Sequence, residues 1–453
     1  MTTTPATLGA AASADGRTFE VRQAADELQV GSLTLLESPA GSFLGQVLAV
    51  DDERGRTAAG ALLGELTGTG LARYRAPFRD AQARALTAAE VALAQSSAGA
   101  DLTIGEWQLP GSDAPLRLRA KGFNRHTFLC GQSGSGKTYA LGVILEQLLL
   151  HTRLPMLVMD PNGDYVKLGV PRADAPAEEA GRLREMAIDV HGAAGEDRLQ
   201  LTFVDLPRHV QAAILGLDPV RDRAEYSAWM DFSSEEIQQD VGKVIAELLA
   251  GDPEHRAFGQ RLVNLGISEW PIWAGGRSVP PQRETRARIF DLSGFDNRTE
   301  ALVVALAEVE RLWAGRADRN PVLLVIDEAH NLCPAEPATP VEKALVERLI
   351  QIAAEGRKYG LWLLLSTQRP SKVHPQVLSQ CDNLVLMRMN SPADLAELAE
   401  LFGFVPVGML KASPYFAQGE LLVGGGFVPV PSFGRVGARL TVEPGADIPV
   451  PMP

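Results

Sequence analysis

Short apolar runs, each ending in a polar or glycine-rich turn, recur through the middle of the chain. They are HTFLC (126–130), PMLVMD (155–160), ARIFDLSG (287–294), VLLVIDE (322–328), LWLLLST (361–367) and NLVLMRM (383–389). Nearly continuous apolar strands of this kind are typical of a parallel sheet that helices cover on both faces. We therefore predict an α/β core with a mostly parallel sheet, which binds its ligand at the carboxyl ends of the strands.

Closely spaced β-runs precede this core. VGSLTLLES, GSFLGQVLAV, AGALLGELTG and GLARYRAPF are broken by Gly, Pro and Asp, which predicts a small barrel or sandwich. We assign this barrel and a linker to residues 18–110, and we predict that residues 1–17, which are small and polar, form a flexible leader.

The pattern between the second and third core strands is mostly helical. Its clearest helix is 233–251, where Ser233 and Glu236 form a capping box and Gly251 follows the last turn. We predict a helical insertion at 171–285 and a core made of 111–170 plus 286–420. The Gly- and Pro-rich tail, 421–453, is predicted to lie extended over its own domain or a neighbouring subunit.

Composition indicates an ordinary soluble protein, with 45% hydrophobic and 22% charged residues in 453. No apolar run reaches the roughly 18–20 residues of a membrane span, and the start of the chain lacks the features of a signal peptide. Cys130, Cys333 and Cys381 are scattered, which predicts buried thiols in a reducing cytoplasm. We therefore expect a cytoplasmic protein.

The net charge of −13 argues against a protein that coats nucleic acid with its whole surface. A narrow basic channel, in which a few Lys and Arg side chains face the nucleic acid, remains compatible with this charge.

The segment GQSGSGKT (131–138) lies between a predicted strand and an apolar helix and fits the phosphate-binding loop pattern. Its backbone N–H groups would surround the phosphates of ATP. Lys137 would reach the β- and γ-phosphates, and Thr138 would bind Mg²⁺. The predicted cofactor-binding residues of this loop are Gly131, Gln132, Ser133, Gly134, Ser135, Gly136, Lys137 and Thr138.

VLLVIDEAH supplies two acids at the end of a strand. Asp327 is predicted to bind the metal, and Glu328 to polarise the attacking water. The two acids could instead form a helix N-cap, but their combination with a phosphate-binding loop favours hydrolysis. Adjacent metal and catalytic acids are typical of multi-subunit hydrolytic motors rather than of kinases or small GTPases.

Further polar residues follow other predicted strands. Gln368 could sense the γ-phosphate or simply cap its strand, and Asp160 and Asp164 in DPNGDY (160–165) place two carboxylates near the site. An Asn-Gly pair is also an ordinary turn, so the role of DPNGDY stays open at this point.

A short basic loop, with Arg369, Lys372 and His374, comes directly after Gln368. The loop could face DNA or solvent, and the sequence does not decide between the two.

Five motifs in this order resemble the HerA branch of the HerA–FtsK hexameric DNA translocases. They are RH-x5-G-x4-GKT, DPNGDY, VIDEAH, EGRKYG and STQRPSKV. GSLTLLESPAGSFLGQVLAV is similar to the small N-terminal barrel (HAS-barrel) of HerA proteins, and IGEWQLPGSDAPLRLR is similar to the lead-in to their motor domain. The resemblance covers most of the chain, weakly at 171–285.

The resemblance implies a RecA-like P-loop ATPase core in a homo-hexameric ring, with ATP and Mg²⁺ bound between subunits. Arginines act at that interface in the family, and they match Arg125 and Arg357 of this chain. Each of the two could instead be a surface arginine in a salt bridge. The family often has Glu where this chain has Asp164. HerA proteins commonly work with a NurA-type nuclease in DNA end resection, and some relatives pair with other effectors in phage defence.

Two functions are therefore compatible with the sequence. The first is an ATP-driven translocase or helicase on double-stranded DNA, with Lys137, Glu328, Gln368, Arg125 and Arg357 as its catalytic residues. The alternative is a scaffold ATPase that assembles and gates an effector enzyme with little translocation of its own.

Overall fold

A computed structural model describes residues 7–53, 55–108, 114–194, 198–231, 241–273 and 285–444. Within these ranges the strands form two sheets, an N-terminal barrel and a large mixed sheet. No helix in the described ranges is both long and apolar enough to cross a membrane.

The N-terminal sheet closes into a barrel because its second strand pairs with both the first and the fifth strand. Buried aromatic side chains, among them Phe19, Phe43 and Phe78, fill its interior. The strands are β1 (Thr7–Ser13), β2 (Thr18–Arg22), β3 (Leu33–Ser38), β4 (Gly41–Asp51), β5 (Thr57–Thr67), β6 (Gly70–Ala72) and β7 (Phe78–Arg84).

The prediction of a flexible leader was wrong for residues 7–13, because they form β1, a barrel strand that pairs with β2 and β7. Its sequence, TLGAAAS, lacks large β-branched and aromatic residues, so its intrinsic preference for a strand is weak. Tertiary packing selects the small residues instead: a Cβ on Gly9 would lie 2.7 Å from Val21 Cγ1.

The large sheet has a parallel and an antiparallel half. Its strand order is β12-β13-β11-β14-β15-β10-β16-β17-β18-β8-β9, and the strands from β12 to β16 run parallel. The strands are β8 (Leu102–Trp107), β9 (Pro115–Leu118), β10 (His126–Cys130), β11 (Met156–Asp160), β12 (Ile188–His191), β13 (Ala287–Asp291), β14 (Val322–Ile326), β15 (Leu361–Thr367), β16 (Cys381–Leu386), β17 (Glu420–Gly425) and β18 (Ser432–Val436). All six predicted core strands are present.

Helices cover both faces of the parallel half, as predicted. Neighbouring residues of one strand enter opposite cores, since Leu129 packs on one side while Phe128 and Cys130 pack on the other. The helices of the described ranges are α1 (Ala88–Ser97), α2 (Lys137–His151), α3 (Ala177–Arg184), α4 (Arg208–Leu215), α5 (Arg223–Met230), α6 (Val241–Ala250), α7 (Pro253–Leu265), α8 (Arg298–Ala314), α9 (Pro340–Glu355), α10 (Pro375–Leu378), α11 (Pro392–Leu401) and α12 (Val407–Leu410).

Helices α3 to α7 and strand β12 occupy the region that we predicted as a helical insertion. Helix α6 matches the second half of the predicted helix 233–251, whereas the capping residues Ser233 and Glu236 lie outside the described residues. Trp229 and Phe258 from this region share a core with Phe290 of the sheet. The domain boundaries themselves stay our proposal.

The prediction for the tail was wrong for residues 421–436, because β17 and β18 are strands of the large sheet. The glycines that make this segment look irregular are required by close packing. A Cβ on Gly434 would lie 2.4 Å from Leu116 Cδ2, and Gly425 has a φ of +114°.

Residues 437–444, which we call the C-terminal strap, lie along helix α2 of the same chain. The buried carboxylate of Glu146 accepts hydrogen bonds from the backbone N–H groups of Leu440 and Thr441, each at 2.8 Å. The backbone N–H of Arg439 donates to the Tyr139 hydroxyl at 2.6 Å. The strap is therefore fixed to the helix that begins at the phosphate-binding loop.

The barrel contacts the antiparallel half of the large sheet at β18. Gln46 on β4 donates from Nε2 to the carbonyl of Pro431 at 2.6 Å, directly before β18 begins. Gly31 packs against Phe433 of β18, where a Cβ would lie 2.7 Å from the ring.

Candidate nucleotide site

The phosphate-binding loop connects β10 to α2 at the carboxyl edge of the parallel strands. Gly134 and Gly136 have φ angles of +72° and +92°, a conformation that L side chains rarely adopt. Helix α2 begins at Lys137, directly after Gly136. The hydroxyl of Ser135 is buried and has no hydrogen-bond partner among the described residues, so it is available to a bound phosphate.

Lys137 lies at the centre of a buried charge cluster. Its Nζ is 2.7 Å from Asp327 Oδ1, 3.2 Å from Glu328 Oε1 and 3.1 Å from the Ser366 hydroxyl. Burial lowers the pKa of Lys137, but Asp327 and Glu328 outweigh burial and the net shift of this pKa is upward. The ammonium is therefore charged, and a triphosphate would compete with the two carboxylates for it.

Asp327 follows the last residue of β14 and is fully buried. The hydroxyl of Tyr165 donates to its Oδ2 at 3.3 Å. Sequence reasoning missed Tyr165 because it read only the two acids of DPNGDY as chemically relevant.

Glu328 has a left-handed backbone with a φ of +43°, which is uncommon for a residue with a side chain and often marks a functional site. Gln368 donates from Nε2 to Glu328 Oε1 at 2.9 Å, which brings the two predicted residues together. The other carboxylate oxygen, Oε2, is buried and accepts no hydrogen bond from the described residues, although His330 Nδ1 lies 3.3 Å from it. An acceptor without a hydrogen bond is what a base needs to polarise a water molecule.

The two acids of DPNGDY differ in their surroundings. Both oxygens of Asp160 accept backbone hydrogen bonds, from Asp164 at 3.0 Å and from Tyr165 at 2.8 Å. Burial raises the pKa of Asp160 to about 6. Asp164 is half-buried, and burial and then Asp327 raise its pKa. Asp160 therefore holds the turn, whereas Asp164 lies beside the charge cluster.

The donor set of this site fits Mg²⁺. The described residues contain no group of three or more His, Cys, Asp or Glu side chains that could hold a metal ion by themselves. Magnesium commonly takes one or two protein oxygens and completes its shell with phosphates and water. The Thr138 hydroxyl and Asp327 would supply those protein oxygens.

Arg125 and Arg357 lie at the amino edge of the parallel strands, away from the phosphate-binding loop. Arg125 directly precedes β10, and the six residue steps from Arg125 to Gly131 span about 20 Å at ~3.3 Å per residue. Both arginines face one carboxylate: Nη1 of Arg125 is 3.9 Å from Asp382 Oδ2, and Nη1 of Arg357 donates to the same oxygen. Neither arginine therefore joins the charge cluster of its own chain.

His126, which sequence reasoning did not single out, ties the segments that carry these arginines together. Its Nδ1 accepts from the backbone N–H of Leu363 at 2.9 Å, so its Nε2 donates to the carbonyl of Ala353 at 3.0 Å. Ala353 lies near the end of α9, shortly before Arg357. Burial lowers the pKa of His126 to about 4, so the ring is neutral at pH 7.

A cavity of about 650 Å³ opens at the phosphate-binding loop. One wall comes from the loop and Gln368. The opposite wall comes from residues that sequence reasoning assigned to the core end and the tail, namely Gln418, Gly419, Arg435, Val436, Gly437, Ala438 and Glu443. No short motif marks these residues, because only the pairing of β17 with β18 brings them to the loop.

Two family models match this chain. Residues 102–240 match the central domain of the helicase HerA, and residues 282–389 match the ATPase family associated with various cellular activities. Residues 102–240 therefore resemble the central domain of HerA. The two matches together include the phosphate-binding loop, Asp327, Glu328 and Gln368.

Curated relatives extend the likeness beyond these two matched segments. A probable helicase of Methanocaldococcus jannaschii is 22% identical over 72% of this chain and 64% of its own length. The DNA double-strand break repair helicase HerA of Pyrococcus furiosus is 22% identical over 69% of this chain and 65% of its own length. The chain thus spans slightly less than two thirds of these relatives.

The fold is also similar to a solved structure. VirB4 of Thermoanaerobacter pseudethanolicus aligns with a TM-score of 0.50 at 16% identity, over 75% of this chain and 97% of that chain. This likeness supports a P-loop ATPase fold for this chain.

Proposed function

We propose that this protein hydrolyses ATP to translocate on or unwind double-stranded DNA. The observation that carries the proposal is the buried cluster in which Lys137, Asp327, Glu328 and Gln368 meet at the end of the phosphate-binding loop. The matches to the HerA central domain and to a DNA repair helicase of that name connect such a site to DNA.

Each residue has a defined part in the proposed reaction. Lys137 balances the charge of the β- and γ-phosphates, while Thr138 and Asp327 would hold Mg²⁺, which would supply charge stabilisation. Glu328 accepts a proton from the attacking water through Oε2, which accepts no hydrogen bond from the described residues. Gln368, bonded to Glu328, changes its hydrogen bonding when the γ-phosphate leaves.

The proposal includes a ring, because Arg125 and Arg357 lie too far from the cluster of their own chain to act there. A neighbouring copy could place the carboxyl edge of its parallel strands against the amino edge of the strands in this chain. The two arginines would then reach the nucleotide site of that neighbour. A guanidinium stabilises the charge that spreads over the transferred phosphoryl group. We propose six copies from the resemblance to HerA, a cytoplasmic location, and a nuclease partner of the NurA type in DNA end resection.

The purified protein should show ATPase activity that duplex DNA stimulates at low salt. Lys137→Ala should abolish it, and Glu328→Gln should slow hydrolysis by about 10²- to 10⁴-fold while the protein still binds ATP. Stimulation should fall steeply with added salt, because DNA binding releases counterions. If duplex DNA gives no stimulation while Lys137→Ala abolishes the basal activity, the DNA motor proposal is wrong.

A second candidate is a scaffold ATPase that assembles and gates an effector enzyme. The acidic net charge of −13 favours it, since a protein that moves along DNA benefits from a positive surface. A displacement assay on blocked duplex separates the two candidates. Steady movement by the protein without a partner would exclude the scaffold.

A further inference from the structure

The antiparallel strands beside the phosphate-binding loop touch it through their backbone. The N–H of Gly419 donates to the carbonyl of Ser135 at 3.0 Å, and the N–H of Val436 donates to the carbonyl of Gly419 at 2.9 Å. A Cβ on Gly136 would lie 3.4 Å from Gly419 N. The start of β17 and the end of β18 are therefore fixed against the loop.

Arg435 occupies the wall of the 650 Å³ cavity at this point. Its side chain is exposed and has no carboxylate within 4.0 Å among the described residues. Glu420 on β17 and Glu106 on β8 are both opposite Arg435 in the strand register, but neither forms an ion pair with it, and the carboxylate of Glu420 accepts from Gln108 Nε2 and from the N–H of Ala417. Arg435 is thus a cation of the pocket whose charge is available to a ligand.

The position of Arg435 differs from that of the reactive cluster. Lys137, Glu328 and Gln368 mark the γ-phosphate end of the pocket. The cavity is also lined by Thr138 and Tyr139 on the first turn of α2 and by Gly437 and Ala438 of the strap. Gly437 has no side chain and Ala438 only a methyl group, so both leave room for a nucleoside, and the hydrogen bond to Arg439 N–H fixes the position of the Tyr139 hydroxyl.

We propose that β18 and the C-terminal strap form the α-phosphate and nucleoside side of the nucleotide pocket, and that Arg435 contacts the α- or β-phosphate within the same subunit. This inference rests on the proposed nucleotide binding and adds residues that no motif indicates. It gives the pocket a second cation besides Lys137, at the end that ATP and ADP share.

Binding of fluorescent ATP and ADP analogues to the full chain tests the inference without requiring hydrolysis or DNA. Arg435→Ala should weaken both nucleotides about tenfold and by the same factor, because a charge-assisted phosphate contact is lost. Arg435→Lys should restore part of the affinity. Arg117 is a cation on another strand of the same sheet and does not line the cavity. The Arg117→Ala variant should therefore bind both nucleotides like the unaltered protein.

An affinity of Arg435→Ala within twofold of the unaltered protein would overturn the inference. A loss restricted to ATP would also overturn it, because it would place Arg435 at the γ-phosphate. If the unaltered protein binds neither nucleotide, the proposed function itself is wrong, and the inference about Arg435 is wrong with it. Equal melting temperatures of the variants exclude a general loss of folding as the cause.

Discussion

At the scale of single residues, the sequence motifs predict the reactive side chains but not the side chains that position them. A glycine-rich loop, a strand-ending acid pair and a strand-ending glutamine each follow from local pattern, so Lys137, Glu328 and Gln368 are identified and the structure brings them together. Tyr165 and His126 act through partners more than 160 residues away along the chain, which no local pattern reveals.

His126 gives a pH dependence that belongs to this scale. The folded protein holds it neutral with a pKa of about 4, whereas the unfolded chain takes up a proton near pH 6.5. Its contribution to the free energy of unfolding is therefore complete above pH 6.5 and falls as the pH drops toward 4. Between pH 7.5 and pH 5 the loss should be about 2 kcal/mol.

Urea unfolding of the unaltered protein and of His126→Gln at both pH values measures this loss. The unaltered protein should lose about 2 kcal/mol more than the variant between pH 7.5 and pH 5. Asp160, whose raised pKa acts in the opposite direction, is present in both proteins and cancels in the comparison. Parallel losses in the two proteins would contradict the assignment.

At the scale of elements, the six apolar strands of the parallel half are predictable, whereas β1, β17 and β18 are not. β10 and β15 coincide with their predicted runs because buried strands are continuously apolar. Glycine and alanine dominate β1, and the glycines of β17 and β18 lie where neighbouring strands approach closely, so these segments look irregular in the sequence. The strap likewise depends on one distant carboxylate, that of Glu146 on α2.

Replacement of Glu146 should therefore release the strap. Glu146→Ala removes the acceptor for two backbone N–H groups and leaves Arg439, which is fully buried, without its nearest carboxylate at 3.6 Å. The free energy of unfolding should fall by about 3–5 kcal/mol, the usual cost of a buried charge that loses its partner. Chemical denaturation measures this change.

Gln147→Ala, one residue further along the same helix and only half-buried, is the matched control and should change stability by less than about 1 kcal/mol. Equal effects of the two substitutions would show that the strap is not held by Glu146.

At the scale of the whole molecule, a cleft rich in cations lies at the amino edge of the parallel strands, opposite the cluster of acids at their carboxyl edge. The carboxyl edge holds Asp160, Asp164, Asp327 and Glu328. A cleft of about 1420 Å³ opens where the parallel strands begin, and its cations are Lys121, Arg153, Arg288, Arg311 and Arg316. Opposite charges on opposite edges favour head-to-tail contact between copies, which is the geometry of a closed ring.

Mixing two inactive variants tests whether copies share an active site. Arg125→Ala/Arg357→Ala supplies a complete phosphate-binding loop, whereas Lys137→Ala supplies both arginines. A mixed ring should regain ATPase activity at interfaces that combine the two intact halves, although each variant alone is inactive. Native mass measurement shows whether the two variants form joint rings. If they do and the ATPase activity stays at the level of the separate variants, the arginines do not act across the interface.

The contact between barrel and sheet gives the molecule a mechanical path. Gln46 holds the carbonyl that precedes β18, and the last residue of β18 is bonded to Gly419, which is bonded to the phosphate-binding loop. A force that tilts the barrel therefore reaches the loop through one short strand and a few main-chain hydrogen bonds. Because hydrogen bonds join each step of this path, a force on the barrel would be transmitted directly to the phosphate-binding loop.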